Sequence, residues 1–514
     1  SATLSFSLAE ASDTFEIIGN ELMLKEGAVL DFEARPVQSV SVTATDVTGL
    51  TRTQTFNITI NNVDESATGG VSISSYAAGS TAAQLTATHT ISEPDGMTTE
   101  PAFQWQVSTD GGNSWTDIVG ATNATYTPAG VAVGSLVRVT ATYSDAFGQK
   151  SVASPEHFSV GSSGANTLAV MVPAQVILGL SGNDTIVGFS SGQRVDGGAG
   201  TDTIRISGTS VDLNAASDAQ IINVEAISAS GAEGSVVLDL SRQSERFSIT
   251  GSRFADVITG TASNDVISAG SGDDRIMGFV GADRINGGGG RDTLVLTETS
   301  AALNSASNSQ LGSVEVISAQ SAGAGVTISL VNQTERFTIT GSGFADVITG
   351  GQGNDVFTDL TEGDVFDGAG GRDTLQLTGS LAVLNAAADA QIANIEVLTF
   401  AGFTAGLVLD LSRQSDGFAF TATSLADVIT GSSGADVVTA GSGDDRIIGF
   451  VGADRINGSS GRDTLELVAT SADLNSAAND QLVSVEVVTA ENASSGVAIS
   501  LANQTEAFTI TGSA

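Results

Sequence analysis

The chain has 514 residues, and its 58 acidic and 19 basic side chains give a net charge of −39. This charge argues against nucleic-acid binding, which needs basic side chains to neutralise phosphates. The apolar fraction of 41% is too high for a disordered acidic tail, and the absence of cysteine excludes a disulfide framework. No apolar run approaches ~20 residues, so we expect no membrane-spanning helix.

Residues 1–65 alternate apolar and polar side chains in segments such as 40–44 and 56–60, which predicts strands. Leu30-Asp31-Phe32-Glu33 is similar to the L-D-x-E motif of cadherins. Two further acidic segments, ending at Asp46 and around Asp64, fall where that family has its next motifs. The segment therefore resembles the later part of a cadherin-type β-sandwich. The resemblance implies calcium ligands at Glu33, Asp46 and Asp64.

Residues 66–161 predict a second all-β unit with short strands and turn signals. A strand over 103–107 is followed by the turn sequence Asp110-Gly111-Gly112, and residues 137–141 supply a late strand. This unit resembles the bacterial immunoglobulin-like domains of large surface proteins. We expect Trp105 to be a core residue of this domain.

Residues 162–514 carry aspartates on a nine-residue grid. A large apolar side chain follows each aspartate by two positions, as Ile276 follows Asp274, and glycines crowd the positions before it. The sixteen aspartates fall in four stretches, and Gln193 occupies one grid position of the first. They are Asp184 and Asp202; Asp256, Asp265, Asp274, Asp283 and Asp292; Asp346, Asp355, Asp364 and Asp373; Asp427, Asp436, Asp445, Asp454 and Asp463.

The spacing predicts a solenoid in which two nonapeptides complete one coil. Each nonapeptide divides into a six-residue turn and a strand of about three residues, with the apolar side chain pointing inward. Aspartates eighteen apart then lie on the same edge of successive coils, so that Asp256, Asp274 and Asp292 line one edge and Asp265 and Asp283 the other. Such carboxylate ladders repel unless a cation lies between them. An all-oxygen ligand set favours calcium, and counting the eighteen-residue pairs predicts about nine ions.

The pattern G-G-x-G-x-D-x-U-x resembles the nonapeptide of the repeats-in-toxin (RTX) family. Together with the two N-terminal resemblances, it implies an all-β chain, with two N-terminal β-sandwich domains followed by a long parallel β-solenoid. It also implies a bacterial protein that leaves the cell unfolded by type I secretion and is folded by calcium outside. Modules of about 90 residues begin near Gly251, Gly341, Ala422 and Gly512, and we expect the array to continue beyond residue 514.

Between the aspartate stretches, strands recur at about eleven-residue intervals, which predicts metal-free coils. Segments such as 212–216 predict short helical excursions there. Glu225, Glu315, Glu396 and Glu486 recur at one position of these coils, and we interpret them as an outward strand face.

Nothing in the chain predicts catalysis. It has two histidines, both within 66–161, and residues 162–514 contain no lysine, histidine or tyrosine for proton transfer. The rival enzyme class is a polysaccharide-modifying enzyme of the β-helix type, which shares the expected fold.

The combination of domains resembles giant surface proteins of bacteria. We therefore expect an extracellular structural protein of the cell surface, an adhesin stalk or a matrix filament as in biofilms, with calcium as its cofactor. The alternative is a self-assembling surface-layer or sheath subunit. Expected partners are calcium and, further, other copies of the chain, surface polysaccharide, or a host or neighbouring cell surface.

Overall fold

The computed structural model describes residues 4–75, 84–128 and 130–513, and its strands are numbered β1 to β47 in chain order. Two compact units make up the chain. The first comprises Ser1–Val160 and Ala174–Leu178, and the second comprises Gly161–Pro173 and Gly179–Ala514. Ala174–Leu178, which the sequence predicts to be part of the solenoid, groups with the first unit.

The N-terminal part of the first unit is antiparallel. Strands β1, β4 and β5 form one sheet and β2 pairs with β3 as a hairpin. In the sheet, Val40 lies opposite Phe56, and Val40 is buried. The five strands are Ser5–Leu8, Phe15–Ile18, Glu21–Leu24, Val37–Thr45 and Thr51–Thr59.

The remainder of the first unit consists of two further sheets. In one, β7 lies between β6 and β10; in the other, β11 pairs with β8, β12 and β13, and β8 also pairs with β9. Strand β15 joins β13 in parallel. Trp105 on β8 is fully buried and stacks on Tyr126, which confirms its expected place in the core. Strands β6 to β13 and β15 are Val71–Ser75, Leu85–His89, Thr99–Ser108, Thr116–Asp117, Thr125–Tyr126, Leu136–Ser144, Gln149–Ala153, His157–Val160 and Gln175–Leu178.

The second unit is a parallel β-solenoid of short strands. Its long sheets run β14-β16-β18-β20-β22-β24-β26-β28, then β21 to β45 through the odd-numbered strands, β30-β32-β34-β36, and β38-β40-β42-β44-β46-β47; β17 pairs with β19. The strands are Thr167–Ala169 (β14), Thr185–Val187 (β16), Arg194–Asp196, Thr203–Arg205, Ile221–Ile222, Ala226–Ser228, Val237–Asp239, Ser248–Thr250, Val257–Thr259, Val266–Ser271, Arg275–Met277, Arg284–Gly289, Thr293–Val295, Leu311–Gly312, Val316–Ser318, Thr327–Ser329, Thr338–Thr340, Val347–Thr349, Val356–Thr358, Val365–Asp367, Thr374–Thr378, Ile392–Ala393, Val397–Ala401, Val408–Asp410, Ala419–Thr421, Val428–Thr430, Val437–Thr439, Arg446–Ile448, Arg455–Asn457, Thr464–Glu466, Leu482–Val483, Val487–Thr489 and Thr509–Thr511 (β47).

Strand register confirms that two nonapeptides complete one coil. Within the aspartate stretches each strand pairs in parallel with the strand eighteen residues later, as Ile258 pairs with Ile276. The step grows to 23 residues where Leu294 pairs with Ile317, because a helix is inserted in that coil. These insertions are the expected helical excursions; they contain the α-helices Val211–Ala215, Ala301–Ser305, Ala382–Ala386 and Ala472–Ser476, and the 3-10 turns Asp218–Gln220, Asn308–Gln310 and Asp389–Gln391.

One inward side chain per strand builds the core. Ile258, Ile276, Leu294 and Ile317 stack along one sheet and are fully buried. Because each strand is only about three residues long, stability depends on contacts between neighbouring coils rather than on any single coil.

Neutral amide side chains contribute to joining the coils that lack grid aspartates. Asn304 donates from Nδ2 to the carbonyl of Thr327 and accepts at Oδ1 from the backbone N–H of Ser329. The buried Gln333 donates to the carbonyl of Ala306. The same pairs of contacts recur in the other modules. In some of them a carboxylate adds a further bond, as Asp218 Oδ1 accepts from the N–H of Ser244.

The stacked pair Phe357 and Phe366 allows a direct test of this core. Their ring centroids are 5.4 Å apart and their side chains are fully buried. Phe366→Ala should destabilise the surrounding coils by about 3–5 kcal/mol, because a large cavity is left. Hydrogen–deuterium exchange of β33 to β35 in saturating calcium measures the change. Phe344→Ala is the matched control, since Phe344 is 51% exposed, and its effect should stay within about 0.5 kcal/mol. Equal exchange rates for the two variants would contradict the stacked core.

Candidate metal centre

The sixteen grid aspartates share one structural position. Each directly precedes a strand of the solenoid, and each is 0–3% exposed. Carboxylates are seldom this buried unless they are paired or bound to metal. Their burial follows from the fold, because the inward apolar residue two positions later fixes the strand and places the aspartate at the inner end of the turn.

Hydrogen bonds join these aspartates into ladders. In all nine pairs that lie eighteen residues apart, the backbone N–H of the first aspartate donates to Oδ1 of the second, over 2.6–2.9 Å. Asp256 is joined in this way to Asp274 and Asp274 to Asp292, whereas Asp265 is joined to Asp283. The predicted alternation between two edges of the coil is therefore confirmed.

Nine of the sixteen aspartates lie in turns that we call closed. In a closed turn the second carboxylate oxygen accepts a hydrogen bond from a backbone N–H three or four residues earlier, as Asp283 Oδ2 accepts from Val280 at 2.6 Å. A Ser or Thr hydroxyl adds a further bond in six of them, as Thr261 does to Asp265. The closed turns belong to Asp256, Asp265, Asp283, Asp346, Asp355, Asp364, Asp427, Asp436 and Asp454.

The other seven aspartates lie in turns that we call open. Their backbone has positive φ both four and two residues before the aspartate. Glycine occupies every position two before, but Leu180, Ala369 and Ser459 adopt positive φ at three of the positions four before. A positive φ is costly for residues with a side chain. Because three such residues adopt it, the packing of the coils, and not the residue type at this position, fixes the shape of the turn. The open turns belong to Asp184, Asp202, Asp274, Asp292, Asp373, Asp445 and Asp463.

Open turns leave carboxylate oxygens without a hydrogen bond. Oδ2 is buried and unbonded in six of the seven: Asp184, Asp202, Asp274, Asp292, Asp445 and Asp463. No oxygen of a closed-turn aspartate is in this state among the described residues. Leaving a buried charged oxygen unpaired is costly, so the open turns are the candidate cation sites.

The turn glycines make room for these oxygens. A Cβ at Gly179 would lie 2.5 Å from Asp184 Oδ2, and one at Gly458 would lie 2.5 Å from Asp463 Oδ2. At the position two before the aspartate, a Cβ on Gly272 would meet the backbone of Phe254 and Ala255 at 2.5 Å. Oxygen-only donors in a small glycine-lined recess fit calcium, which takes carboxylate and carbonyl ligands.

Burial without a counter-charge raises the pKa of these groups. Desolvation is the main cause at Asp274 and at Asp373, and it raises the pKa of each to about 7, with neighbouring carboxylates adding to the effect. The same cause raises the pKa of Asp184 and Asp445 to about 6. Without calcium, these carboxyl groups therefore hold a proton in its place more readily than an ordinary aspartate does.

The two kinds of ladder end in different side chains. Each ladder that contains open turns ends on a glutamate, whose Oε2 accepts from the last aspartate N–H at 2.8 Å: Glu225, Glu315, Glu396 and Glu486. The prediction that these glutamates form an outward strand face is wrong, because they are half-buried and face the ladder. In the sequence, the constant interval of 23 residues between the last aspartate of each stretch and the glutamate could have indicated this contact.

The three weaker candidates of the first unit do not form one group. Glu33 lies with Glu65 and Asp95, and Asp64 lies with Asp95 and Asp145, in clusters whose ligand atoms are within 4.8 Å of one another. Lys150 is 2.6 Å from the Asp64 carboxylate, so a cation of the chain itself already occupies part of the second cluster.

Asp46 belongs to neither of those clusters. Its carboxylate accepts hydrogen bonds from Thr48 and Leu50 of its own loop. These bonds, the Thr48 hydroxyl first, lower the pKa of Asp46. Calcium binding by Glu33, Asp46 and Asp64 stays a prediction.

The difference between open and closed turns predicts different effects of the same substitution. Asp274→Asn should remove at least one bound calcium per chain, because a charged ligand of an open turn is lost. Asp283→Asn should leave the number of ions unchanged and cost only about 1–3 kcal/mol for a lost hydrogen bond. Equilibrium dialysis at saturating calcium measures both, and an equal loss of calcium would show that the two turn classes do not differ in metal binding.

The raised pKa values predict how the metal-free chain responds to pH. A carboxyl group whose folded pKa exceeds its unfolded value of about 3.9 stabilises the folded state at low pH, and this stability is lost as pH rises through the folded pKa. In chelator, β-structure followed by circular dichroism should therefore decrease between about pH 5 and pH 8. Ordinary surface acids titrate near pH 4, so a transition confined to that range would contradict the assignment.

Comparison with protein families follows the same division of the chain. The family model described as RTX calcium-binding nonapeptide repeat (4 copies) matches residues 174–204, 250–278, 259–294, 340–375 and 422–465. A domain of unknown function, DUF8696, matches residues 67–154. No curated protein matches the chain.

Every aspartate of the four stretches lies within the segments matched by the repeat model. In the described ranges, no helix has the length and apolar character needed to cross a bilayer. The chain therefore carries RTX calcium-binding nonapeptide repeats on a parallel β-solenoid, the combination found in secreted RTX proteins.

Proposed function

We propose that this chain is a calcium-stabilised structural element of the bacterial cell exterior, an adhesin stalk or matrix filament. The observation that carries the proposal is the ladder of buried aspartates whose open turns leave carboxylate oxygens unbonded. A chain with such ladders is unstable without a divalent cation and becomes ordered when one is supplied.

Calcium would be held first by pairs in which both turns are open. These pairs are Asp184 with Asp202, Asp274 with Asp292, and Asp445 with Asp463. The ion supplies positive charge that the chain lacks, because no ion pair among the described residues involves a ladder aspartate. The expected nine ions count every eighteen-residue pair, whereas the hydrogen bonds favour the open turns.

Export in an unfolded state follows from the same chemistry. Extracellular calcium modules bind with dissociation constants of about 0.1–1 mM, so each site adds roughly 1 kcal/mol at millimolar calcium. Several sites together decide whether the solenoid folds, and in the low calcium of a bacterial cytosol they stay empty. This supports secretion before folding, as in type I export.

A structural role is favoured over an enzymatic one by the side chains available. Residues 179–514 contain no lysine, histidine or tyrosine. The described carboxylates of the solenoid interior are engaged in ladders rather than gathered around a cleft, an arrangement that favours a structural role over polysaccharide cleavage.

The second candidate, a surface-layer or sheath subunit, is favoured by exposed acidic residues beside the open turns. Asp273 and Asp444 each precede a ladder aspartate and are exposed. Calcium bridging between such residues of two copies would build a lattice or filament.

A calcium titration followed by circular dichroism and light scattering tests the proposal. We expect β-structure to form cooperatively near millimolar calcium, and constant scattering would favour a monomeric stalk. Scattering that rises with folding would favour the surface-layer subunit instead. Complete β-structure in chelator at pH 8 would overturn the calcium-folded element, and magnesium at the same concentration is the ionic-strength control.

A further inference from the structure

We infer that Glu225, Glu315, Glu396 and Glu486 are calcium ligands, each completing one additional metal site with the last open-turn aspartate of its ladder. The pairs are Asp202 with Glu225, Asp292 with Glu315, Asp373 with Glu396 and Asp463 with Glu486. The inference rests on the proposed calcium binding of the open turns and extends it to the first coil beyond each nonapeptide stretch.

Each glutamate occupies the structural position of a ladder aspartate. Strand β29 begins directly after Glu315, as β27 begins directly after Asp292, and the two strands pair residue for residue from Thr293 and Val316 onward. The coil between them is five residues longer than a pair of nonapeptides. The repeat therefore continues in space where the nine-residue grid has ended in sequence.

The carboxylate of the glutamate makes the same contact as the aspartate it replaces. Asp274 donates its N–H to Asp292 Oδ1 at 2.9 Å, and Asp292 donates its N–H to Glu315 Oε2 at 2.8 Å. The three other modules repeat the second contact at 2.8 Å. One glutamate oxygen is thus directed to the backbone as in the aspartate ladder.

The aspartate facing each glutamate has a buried oxygen without a partner. Oδ2 of Asp202, Asp292 and Asp463 accepts no hydrogen bond, and these residues are fully buried. Asp373, which faces Glu396, is 1% exposed. Three of the four sites therefore combine two carboxylates with an unbonded buried oxygen, and the fourth, Asp373 with Glu396, shares the turn shape and the buried carboxylate. Two carboxylates in this arrangement are a donor set for one divalent cation.

The second ladder of each stretch provides an internal comparison. These ladders end on Gln220, Gln310, Gln391 and Gln481, whose Nε2 donates to the backbone carbonyl of the last grid residue over 2.9–3.2 Å. The aspartates of these ladders lie in closed turns, without unbonded oxygens. An acid ends each ladder that contains an open turn, and a neutral amide ends each ladder that contains none.

A role limited to capping the aspartate N–H would not need a charge. Glutamine retains an oxygen that can accept this hydrogen bond, but it removes a negative charge that strengthens calcium binding at the site. Glutamate-to-glutamine substitution therefore separates a capping role from a ligand role.

The test uses the full chain with all four substitutions E225Q, E315Q, E396Q and E486Q. We expect it to bind four fewer calcium ions than the unmodified chain, measured by equilibrium dialysis at saturating calcium. The matched control carries four substitutions of exposed glutamates instead, E233Q, E298Q, E362Q and E491Q. Its calcium content should not change. Circular dichroism in calcium verifies that both variants fold.

The outcomes separate this inference from the proposed function. If the four-glutamine chain keeps its full calcium content while Asp274→Asn loses calcium, the glutamates only cap the ladder and the inference fails alone. If the unmodified chain binds no calcium, the proposed function fails first. If the four-glutamine chain does not fold, the single variant E315Q, losing one ion or none, decides between the two roles.

Discussion

The main physical constraint on this structure is the repulsion between the aspartates that successive parallel coils place above one another. Neighbouring parallel strands are about 4.8 Å apart, and two like charges at that distance repel by roughly 3 kcal/mol at an effective dielectric constant near 20. Burial adds a desolvation cost, which raises the pKa of aspartates such as Asp274. A proton relieves this repulsion at low pH, and a divalent cation relieves it at neutral pH.

The remaining features of the solenoid arrange the chain around this constraint. Apolar side chains such as Ile276 hold the strands in register, and glycines keep the turns close enough for oxygens to converge. Coils without grid aspartates use a different bond, since the amide side chains of Asn304 and Gln333 join them. Each module therefore alternates coils joined by aspartate ladders with coils joined mainly by amide side chains.

The two ladders of one aspartate stretch differ in the hydrogen bonding of their turns. Within one stretch, Asp292 lies in an open turn and Asp283 in a closed one, although both have the same nine-residue spacing. In the closed turn a backbone N–H donates to the second carboxylate oxygen, whereas in the open turn that oxygen has no hydrogen bond. The closed turns therefore satisfy their carboxylates without a metal ion, and the open turns do not.

The coil is predictable from local sequence features. Spacing of Asp256, Asp265 and Asp274, with an apolar residue two positions after each, predicted the eighteen-residue step, the inward face and the alternation of edges, because these follow from strand periodicity and local turn length. The helical insertion at 212–216 and the burial of Trp105 were predictable in the same way. Two features could be seen in the folded structure alone: which aspartates keep an unbonded oxygen, and the contact of Glu315 with Asp292. Both depend on contacts between coils, and the insertion lengthens the step from 18 to 23 residues, so that Glu315 reaches the ladder outside the nine-residue grid on which the sequence prediction relied.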